Sequence, residues 1–251
     1  MRYIGGKSRI ANDIAAIVTK AQGSIYLEPF LGGGATFAKV ASYYPRTFAS
    51  DLNAYLMFMW MGFNAGWVPP DSISEEQYQW LKYEDYDKFP DEKLPLALRG
   101  LAGIACSFGG KWFGGYARGK TDKGTDRDWL NETVRNIQKI LPAMENTIFC
   151  FGDYRMWHPK NDWVVYCDPP YRGTQGYNSA DLFEATKPFD HDIFWSTMNK
   201  WVKAGAKVFV SEYVAPPDWS CAGEFKARQS LTMPCQGREE RVERLWTKGG
   251  Q

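Results

Sequence analysis

The chain has 251 residues, of which 44% are hydrophobic, and its formal net charge is +1. This length is enough for one large α/β domain, or for such a domain with a small insert, and the hydrophobic fraction supports a sizeable core. The near-zero charge excludes a protein that binds polyanions over its whole surface, so any nucleic-acid binding requires a local basic patch.

Cysteine and histidine usage narrows the possible chemistry. The five cysteines form no Cys-x-x-Cys pattern, which indicates reduced thiols in a cytoplasmic protein. The two histidines, His158 and His191, lie in unrelated contexts, which argues against a zinc site and against histidine-based nucleophilic catalysis. No apolar run reaches transmembrane length, and residues 1–7 lack the apolar core of a signal peptide. We therefore expect neither a bound metal nor a membrane partner.

The first 61 residues predict a βαβ opening with a glycine-rich turn. Apolar residues at helical spacing predict a helix over residues 8–22. The elements that follow are a strand at 24–30, a tight turn at 31–34, a helix at 35–43 and a strand at 46–50 that ends at Asp51.

Residues 62–147 change in character and predict a mostly helical insert. The segment begins with prolines and acidic residues, continues with helical patches rich in Trp and Tyr, and then contains a glycine-rich basic stretch at 107–123. After it, the chain returns to α/β patterning. The elements predicted there are strands at 147–151, 163–167 and 208–213, a helix at 190–204, and an antiparallel pair at 225–233 and 241–246.

The sequence Glu28-Pro29-Phe30-Leu31-Gly32-Gly33-Gly34 places glycines between a strand and a helix. Glycines let a backbone approach a ligand closely, and Asp51 follows about 20 residues later, where an acidic residue binds ribose hydroxyls in nucleotide-binding folds. Gly32 and Gly34 fit the dinucleotide fingerprint, but Phe37 occupies its third glycine position. This departure disfavours a nicotinamide oxidoreductase and favours a nucleoside without a pyrophosphate, such as S-adenosylmethionine.

Asp168-Pro169-Pro170-Tyr171 follows the predicted strand 163–167, at the end of the sheet where open α/β folds place their active sites. The Asp168 carboxylate can accept a hydrogen bond from an exocyclic amine. The two prolines offer carbonyl acceptors without competing N–H donors, and Tyr171 offers a ring for stacking on an extruded base. The tetrapeptide therefore indicates a site for a planar base that carries an amino group.

Four segments in this order resemble the DNA adenine-N6 methyltransferases of the Dam (D12) class. Tyr3-Ile4-Gly5-Gly6-Lys7 is similar to the first motif of that family, and Glu28 to Ala35 to its glycine-rich donor motif. Asp51-Leu52-Asn53 is similar to its ribose-binding motif, and Asp168-Pro169-Pro170-Tyr171 to its catalytic motif.

The resemblance implies a Rossmann-like α/β sheet that uses S-adenosylmethionine, with a smaller, mostly helical target-recognition insert. The methyltransferase domain would comprise residues 1–61 and 148–251, and the insert 62–147. The implied catalytic residues are Asp168, Pro169, Pro170 and Tyr171. The implied donor-binding residues are Tyr3, Lys7, Glu28, Phe30, Gly32, Gly34, Asp51, Asp153 and Asp168. Double-stranded DNA is the implied partner, and a monomer suffices for base flipping. The biological role stays open between restriction–modification, replication timing and phage DNA protection. The expected location is the cytoplasm, which is the host cytoplasm if a phage encodes the protein.

The insert contains the best candidate surface for DNA. Between residues 99 and 120 there are four basic residues and no acidic one: Arg99, Lys111, Arg118 and Lys120. Aromatic residues are interleaved with them: Phe108, Trp112, Phe113 and Tyr116. Basic side chains contact phosphates or guanine edges, and aromatic ones can enter the gap left by a flipped base. We expect Lys111, Tyr116, Arg118 and Lys120 to bind DNA.

Other readings compete with this one. Pro234-Cys235-Gln236 resembles the nucleophile loop of cytosine-C5 methyltransferases, but it lies about 200 residues past the glycine turn, in the wrong order, and we interpret it as coincidence. An N-methyltransferase for RNA or for another amine or amide is a second alternative, although such enzymes more often have Asn at the first position of the tetrapeptide. The third is a catalytically silent DNA-binding relative.

Overall fold

The computed structural model describes residues 1–3, 5–83, 96–173, 188–226 and 242–248. These residues form one sheet of seven strands in the order β3-β2-β1-β4-β5-β7-β6. The strands are β1 Ile25–Glu28, β2 Arg46–Asp51, β3 Thr147–Phe151, β4 Trp163–Cys167, β5 Lys207–Glu212, β6 Ser220–Lys226 and β7 Val242–Lys248. The chain thus has the α/β architecture that its sequence predicts.

The sheet has a topological switch point between β1 and β4. Strand β1 pairs in parallel with β2 on one side and with β4 on the other, with Leu27 opposite Val165. The chain leaves β1 towards β2 and β3 and later returns to β4, so a crevice opens at the carboxyl ends of β1 and β4, where open α/β sheets bind ligands. Glu28 and Asp168 therefore meet at the same edge of the sheet.

Helices cover both faces of the sheet. They are α1 Ala11–Val18, α2 Phe37–Val40, α3 Ala54–Asn64, α4 Glu75–Tyr83, α5 Leu96–Ala105, α6 Trp129–Ile140 and α7 His191–Lys203. The central strands are buried on both faces, so their successive side chains point into two different cores. Tyr26 and Tyr166 face the first core, and Leu27 and Val165 face the second, which also contains side chains of α7. None of the described helices is long and apolar enough to cross a membrane.

The helices of the predicted insert share a core with the sheet. Tyr78 of α4, Leu101 of α5 and Ile137 of α6 are fully buried in the same cluster as Tyr26 of β1. Helix α5 crosses α3 closely, since a Cβ on Gly100 would lie 2.1 Å from the carbonyl oxygen of Tyr55. The division into a catalytic domain and an insert remains a prediction, because a common core joins the described parts of both.

The C-terminal pair differs from its predicted bounds. Strand β6 begins at Ser220, five residues before the predicted start at 225, and pairs with β7 in the predicted antiparallel sense. A register shift between Cys221 and Gly223 interrupts the alternation there, which hides the strand in the sequence. Residues 227–233 of the predicted strand, and Cys235, lie outside the described residues, as do residues 174–187.

Candidate active site

A cavity of about 420 Å³ lies at the switch point, at the carboxyl edge of β1, β2 and β4. The N-terminal segment, the glycine turn and the loops after β2, β3 and β4 line it. Every residue that the sequence assigns to the donor site lies in its wall: Tyr3, Lys7, Glu28, Phe30, Gly32, Gly34, Asp51, Asp153 and Asp168. The roles of these nine residues remain a proposal, but the structure brings all nine residues to the wall of one cavity.

Tyr3 and Trp60 both contact the glycine turn, residues 31–34. Gly32 and Gly34 have φ angles of +48° and +66°, a backbone region that suits glycine. The ring of Tyr3 packs on the turn so closely that a Cβ on Gly32 would lie 2.8 Å from it. The indole of Trp60 donates a hydrogen bond to the Gly32 carbonyl at 3.1 Å. Trp60 is a supporting residue that the sequence analysis missed, because a tryptophan in an apolar helix gives no signal of such a contact.

Asp51 connects the turn to the second strand. One carboxylate oxygen accepts the Gly32 N–H and the other accepts the Asn53 N–H, each at 2.9 Å. Burial raises the pKa of Asp51, and these N–H donors partly oppose the rise because they favour the ionised form. A carboxylate oxygen has more than one lone pair, so Asp51 keeps acceptor capacity for a ligand hydroxyl.

The far wall of the cavity is aromatic. Phe30 follows β1 and packs against Tyr154 and Phe189, with ring centroids at 5.3 and 6.0 Å. Asp153 precedes Tyr154, and its carboxylate accepts hydrogen bonds from the backbone and guanidinium of Arg155. The sequence analysis did not assign Tyr154 or Phe189 to the site. Tyr154 begins a short 3-10 helix and Phe189 precedes α7, and with Phe30 they form an apolar, aromatic wall that can contact a planar ring.

Glu28 ends β1 beneath the glycine turn. It is only 2% exposed and accepts a hydrogen bond from the Tyr26 hydroxyl at 2.9 Å. Burial raises its pKa well above the usual value, although the Tyr26 hydrogen bond acts in the opposite sense. Its carboxyl group lies in the wall of the cavity.

Asp168 and Lys7 form the only ion pair between two lining residues of the described cavity. The Lys7 ammonium lies 2.6 and 2.7 Å from the two Asp168 oxygens. Burial raises the pKa of Asp168 to about 6, against the opposing effect of Lys7. Burial alone would lower the pKa of Lys7, but Asp168 and Glu243 outweigh it and raise that pKa above the usual value.

Glu243, at the start of β7, is a second carboxylate in this cluster. Its Oε1 lies 3.3 Å from the Lys7 ammonium and accepts a hydrogen bond from the Tyr171 hydroxyl at 2.6 Å. The sequence analysis missed Glu243 because it lies 75 residues after Asp168, in a run of charged residues with no motif. Its place follows from the pairing of β7 with β5, which brings the start of β7 to the carboxyl edge of the sheet.

The tetrapeptide that the sequence predicts to be catalytic lies partly in the cavity wall and partly outside it. Asp168 and Pro170 line the cavity, whereas Pro169 and Tyr171, both described, do not. The Tyr171 ring lies 4.7 Å from the Lys7 ammonium and edge-on to Tyr213. Burial, together with the nearby carboxylates, raises the pKa of Tyr171 well above its usual value. Its predicted stacking on a base therefore remains a proposal.

The predicted DNA surface is smaller than the sequence indicates. Arg99 is only 3% exposed and donates a hydrogen bond to the Tyr55 hydroxyl, so its inclusion in the basic patch was wrong. Phe113 is also buried, and Trp112 packs against it and lines the cavity instead. A helix whose neighbours supply an aromatic pocket can bury a guanidinium, which composition alone does not reveal.

The remaining members of the patch lie at the surface or near it. Lys111 and Lys120 are exposed, and Arg118 is exposed but forms an ion pair with Glu75 at 2.5 Å. Tyr116 is half-buried, and its hydroxyl donates a hydrogen bond to the Ile73 carbonyl at 2.8 Å. Phe108 is 73% exposed, on a turn next to Gly110, which lines the cavity. The exposed Phe108 and Lys111 are thus close in sequence to the lining residues Gly110 and Trp112.

The lining has an acidic character. Carboxyl groups come from Glu28, Asp51, Asp153 and Asp168, whereas the basic side chains among the lining residues are limited to Lys7. Such a surface favours a positively charged ligand. Within the described ranges, no three His, Cys, Asp or Glu side chains are grouped so that they could hold a metal ion.

The sheet order, the cavity at the switch point and a family match together define a methyltransferase. Residues 3–88 match the model of a family described as D12 class N6 adenine-specific DNA methyltransferase. The matched segment contains the first three of the four motifs, those that begin at Tyr3, Glu28 and Asp51. The match confirms the resemblance to the D12 class.

Known proteins give little further guidance. A rRNA methylase from Streptococcus thermophilus aligns over 98% of this chain and 98% of its own, with 7% identity and a TM-score of 0.40. A precorrin-6y C5,15-methyltransferase from Geobacter metallireducens aligns over 94% of this chain and 86% of its own, with 8% identity and a TM-score of 0.37. We draw no conclusion from likenesses at this level. No curated protein matches the sequence.

Proposed function

We propose that the protein transfers a methyl group from S-adenosylmethionine to N6 of an adenine flipped out of duplex DNA. The observation that carries the proposal is the position of Asp168. Its carboxylate lies at the end of β4, in the same cavity wall as the glycine turn and Asp51. One cavity thus combines a nucleoside-type site with an acceptor for an amino group, in a chain that matches the D12 class.

The residues present fit S-adenosylmethionine. The cavity volume of about 420 Å³ falls within the range of roughly 300–1,000 Å³ typical of small-molecule sites. Asp51 offers acceptors for ribose hydroxyls, the aromatic wall at Phe30 suits an adenine ring, and the acidic lining suits a cationic donor. When bound, the donor supplies a methyl group already activated by its positively charged sulfur.

The task of the protein is to make a weakly nucleophilic amine attack. The N6 lone pair of adenine is delocalised into the ring, and hydrogen bonds from N6–H to Asp168 and to the Pro169 carbonyl would localise it. This is catalysis by positioning and by electrostatic stabilisation of the positive charge that develops on N6. Tyr171 would support the base from the side of Lys7.

The proton on N6 has an acceptor nearby. A carboxylate whose pKa is raised to about 6 by burial takes up a proton more readily than an ordinary aspartate. Asp168 can therefore receive the N6 proton as the new bond forms, and water can receive it afterwards. No histidine is needed for this step, and neither His158 nor His191, both described, lines the cavity.

The substrate would approach along the face that carries Phe108 and Lys111. Lys111 and Lys120 can neutralise phosphates, and the exposed Phe108 ring can occupy the space that the flipped adenine leaves in the duplex. One chain supplies both the cavity and this face, so we propose that a monomer is active.

The test is to incubate the purified protein with mixed-sequence duplex DNA and radiolabelled S-adenosylmethionine, and then to digest the DNA to nucleosides. Label in N6-methyldeoxyadenosine supports the proposal, and sequencing the same DNA gives the recognition site. Label in a cytosine would contradict the role of Asp168. If only RNA becomes labelled in a parallel reaction, RNA and not DNA is the substrate. Donor binding without any methyl transfer would indicate a DNA-binding relative.

A further inference from the structure

Glu243 occupies a position in the candidate site that the proposed reaction does not yet use. Its carboxylate is 18% exposed, faces the Lys7 ammonium at 3.3 Å and accepts the Tyr171 hydroxyl at 2.6 Å. It therefore contacts two groups of the Asp168 cluster, the Lys7 ammonium and the Tyr171 hydroxyl. It comes from β7, whereas Lys7 precedes α1 and Tyr171 follows β4.

The hydrogen bonds of Lys7 explain why a second carboxylate matters. An ammonium has three N–H donors. In the structure they meet the Gly5 carbonyl at 3.0 Å, Asp168 at 2.7 Å and Glu243 at 3.3 Å. Lys7 contacts both Asp168 oxygens, which keep further lone pairs for an incoming amine. The amine nevertheless competes with Lys7 for this carboxylate unless Lys7 moves part of its interaction elsewhere. Glu243 is the acceptor already in place for that shift.

The formal charges lead to the same conclusion. Lys7 balances one carboxylate, so Lys7 and Asp168 alone would form a neutral pair with little attraction for developing positive charge. Glu243 adds a second negative charge, which leaves the cluster with a formal charge of −1. Stabilisation of developing charge by preorganised groups in a water-poor site is a large part of many catalytic effects.

We propose that Glu243 is a positioning residue for methyl transfer: it holds Lys7 and Tyr171, so that Asp168 can turn one oxygen from Lys7 to the amino group of the target base. This inference rests on the proposed function. It assigns Glu243 no contact with the base or the donor. Its effect passes through Lys7, Tyr171 and Asp168.

The decisive variant is Glu243→Gln, which keeps an acceptor for Lys7 and Tyr171 but removes the charge. We expect kcat for DNA methylation to fall on the order of 10-fold to 100-fold, while the Kd for S-adenosylmethionine changes less than about twofold. The acid limb of the pH–rate profile should move to lower pH, because Glu243 is a like charge that raises the pKa of Asp168. Glu243→Asp, which restores the charge on a shorter chain, should recover part of kcat.

Glu224→Gln is the matched control. Glu224 lies on β6, next to β7, and pairs with Arg244 at 2.7 Å in an exposed position. The same change of charge at this sheet position should leave kcat and the pH profile as in the wild type. Thermal unfolding of each variant shows whether a loss of kcat reflects a loss of folded protein.

A wild-type kcat and pH profile in Glu243→Gln would overturn the inference. So would a loss confined to donor affinity, because Glu243 would then act in donor binding. If the wild type itself methylates nothing, the proposed function fails. In that case an NMR titration of 13C-labelled aspartate still measures whether the Asp168 pKa falls in Glu243→Gln, and an unchanged value would overturn the coupling independently.

Discussion

Lys7 and Asp168 are separated by 161 residues in the sequence, and their charged groups lie 2.6 Å apart in the folded protein. The pair joins the N-terminal segment to the tetrapeptide that follows β4, in the wall of the cavity. Lys7 is 7% exposed and the Asp168 side chain 19%, so the attraction is only weakly screened by solvent. Several expected outcomes depend on this pair.

Methyl transfer should require the ionised form of Asp168. Burial raises the pKa of this carboxyl to about 6, so the fraction ionised falls as the pH falls through 6. We expect kcat/KM for DNA to rise about tenfold between pH 5 and 7, as the ionised fraction goes from roughly a tenth to roughly nine-tenths, and then to level off. The measurement is a pH–rate profile at constant ionic strength, and a flat profile over this interval would contradict the role of Asp168 as an acceptor.

Lys7→Met should shift the acid limb of the pH–rate profile to higher pH, whereas Glu243→Gln should shift it to lower pH. Removing the cation takes away an interaction that lowers the pKa of Asp168, so the acid limb should move above pH 6. Breaking a buried ion pair should also lower the free energy of unfolding by about 3–5 kcal/mol, measurable by urea titration. Lys248→Met, at a more exposed pair with Asp218, should cost less than about 1 kcal/mol. Equal losses in the two variants would count against the burial argument.

Asp168→Ala should abolish methyl transfer, with a loss of at least about 100-fold, because it removes the acceptor that orients the amine. Donor binding should survive, since the glycine turn and Asp51 remain. Calorimetry with S-adenosylmethionine and the labelled-methyl assay measure the two effects separately. Asp162→Asn, just before β4 at its opposite end, is the control and should keep its activity. Turnover retained in Asp168→Ala would refute the mechanism.

Gly34→Ala should weaken donor binding through the shape of the turn. Gly34 has a φ of +66°, and an added Cβ would lie 2.8 Å from the end of Met144 and 3.2 Å from Trp60. We expect a cost of about 1–3 kcal/mol in stability from backbone strain, and a higher Kd for S-adenosylmethionine. Gly66→Ala separates these effects, because Gly66 has a φ of +83° but open space around it. It should be strained to a similar degree without any change in donor affinity.

Glu75→Gln should strengthen DNA binding. Arg118 is 73% exposed but is paired with Glu75, so part of its charge is compensated. Releasing Arg118 should lower the Kd for duplex DNA, and Arg118→Ala should raise it while reducing the slope of log K against log salt by about one. Fluorescence anisotropy over a range of salt concentrations measures both. If neither variant changes the affinity, Arg118 does not face the DNA.

Much of the fold and the donor site could be predicted from the sequence because their signals are local. The apolar run at 163–167 coincides with β4, and the predicted strand at 147–151 coincides with β3. The glycine turn depends on backbone freedom at neighbouring residues, so its position is visible in the sequence. Motifs that end strands converge at one edge of a parallel sheet, which explains why the seven predicted donor residues from Glu28 to Asp168 line one cavity. Tyr3 and Lys7 reach the same cavity from the N-terminal segment.

The sequence by itself determined the five parallel strands, the glycine turn, the position of the Asp168-Pro169-Pro170-Tyr171 tetrapeptide after β4 and the resemblance to the D12 class. Only the tertiary structure decided that Arg99 is buried, that Tyr171 lies beside Lys7, and that Glu243 completes the cluster around Asp168. The physical reason is the range of the interactions. Turn and strand preferences act between neighbouring residues, whereas burial and ion pairing depend on which distant segments the sheet order brings together.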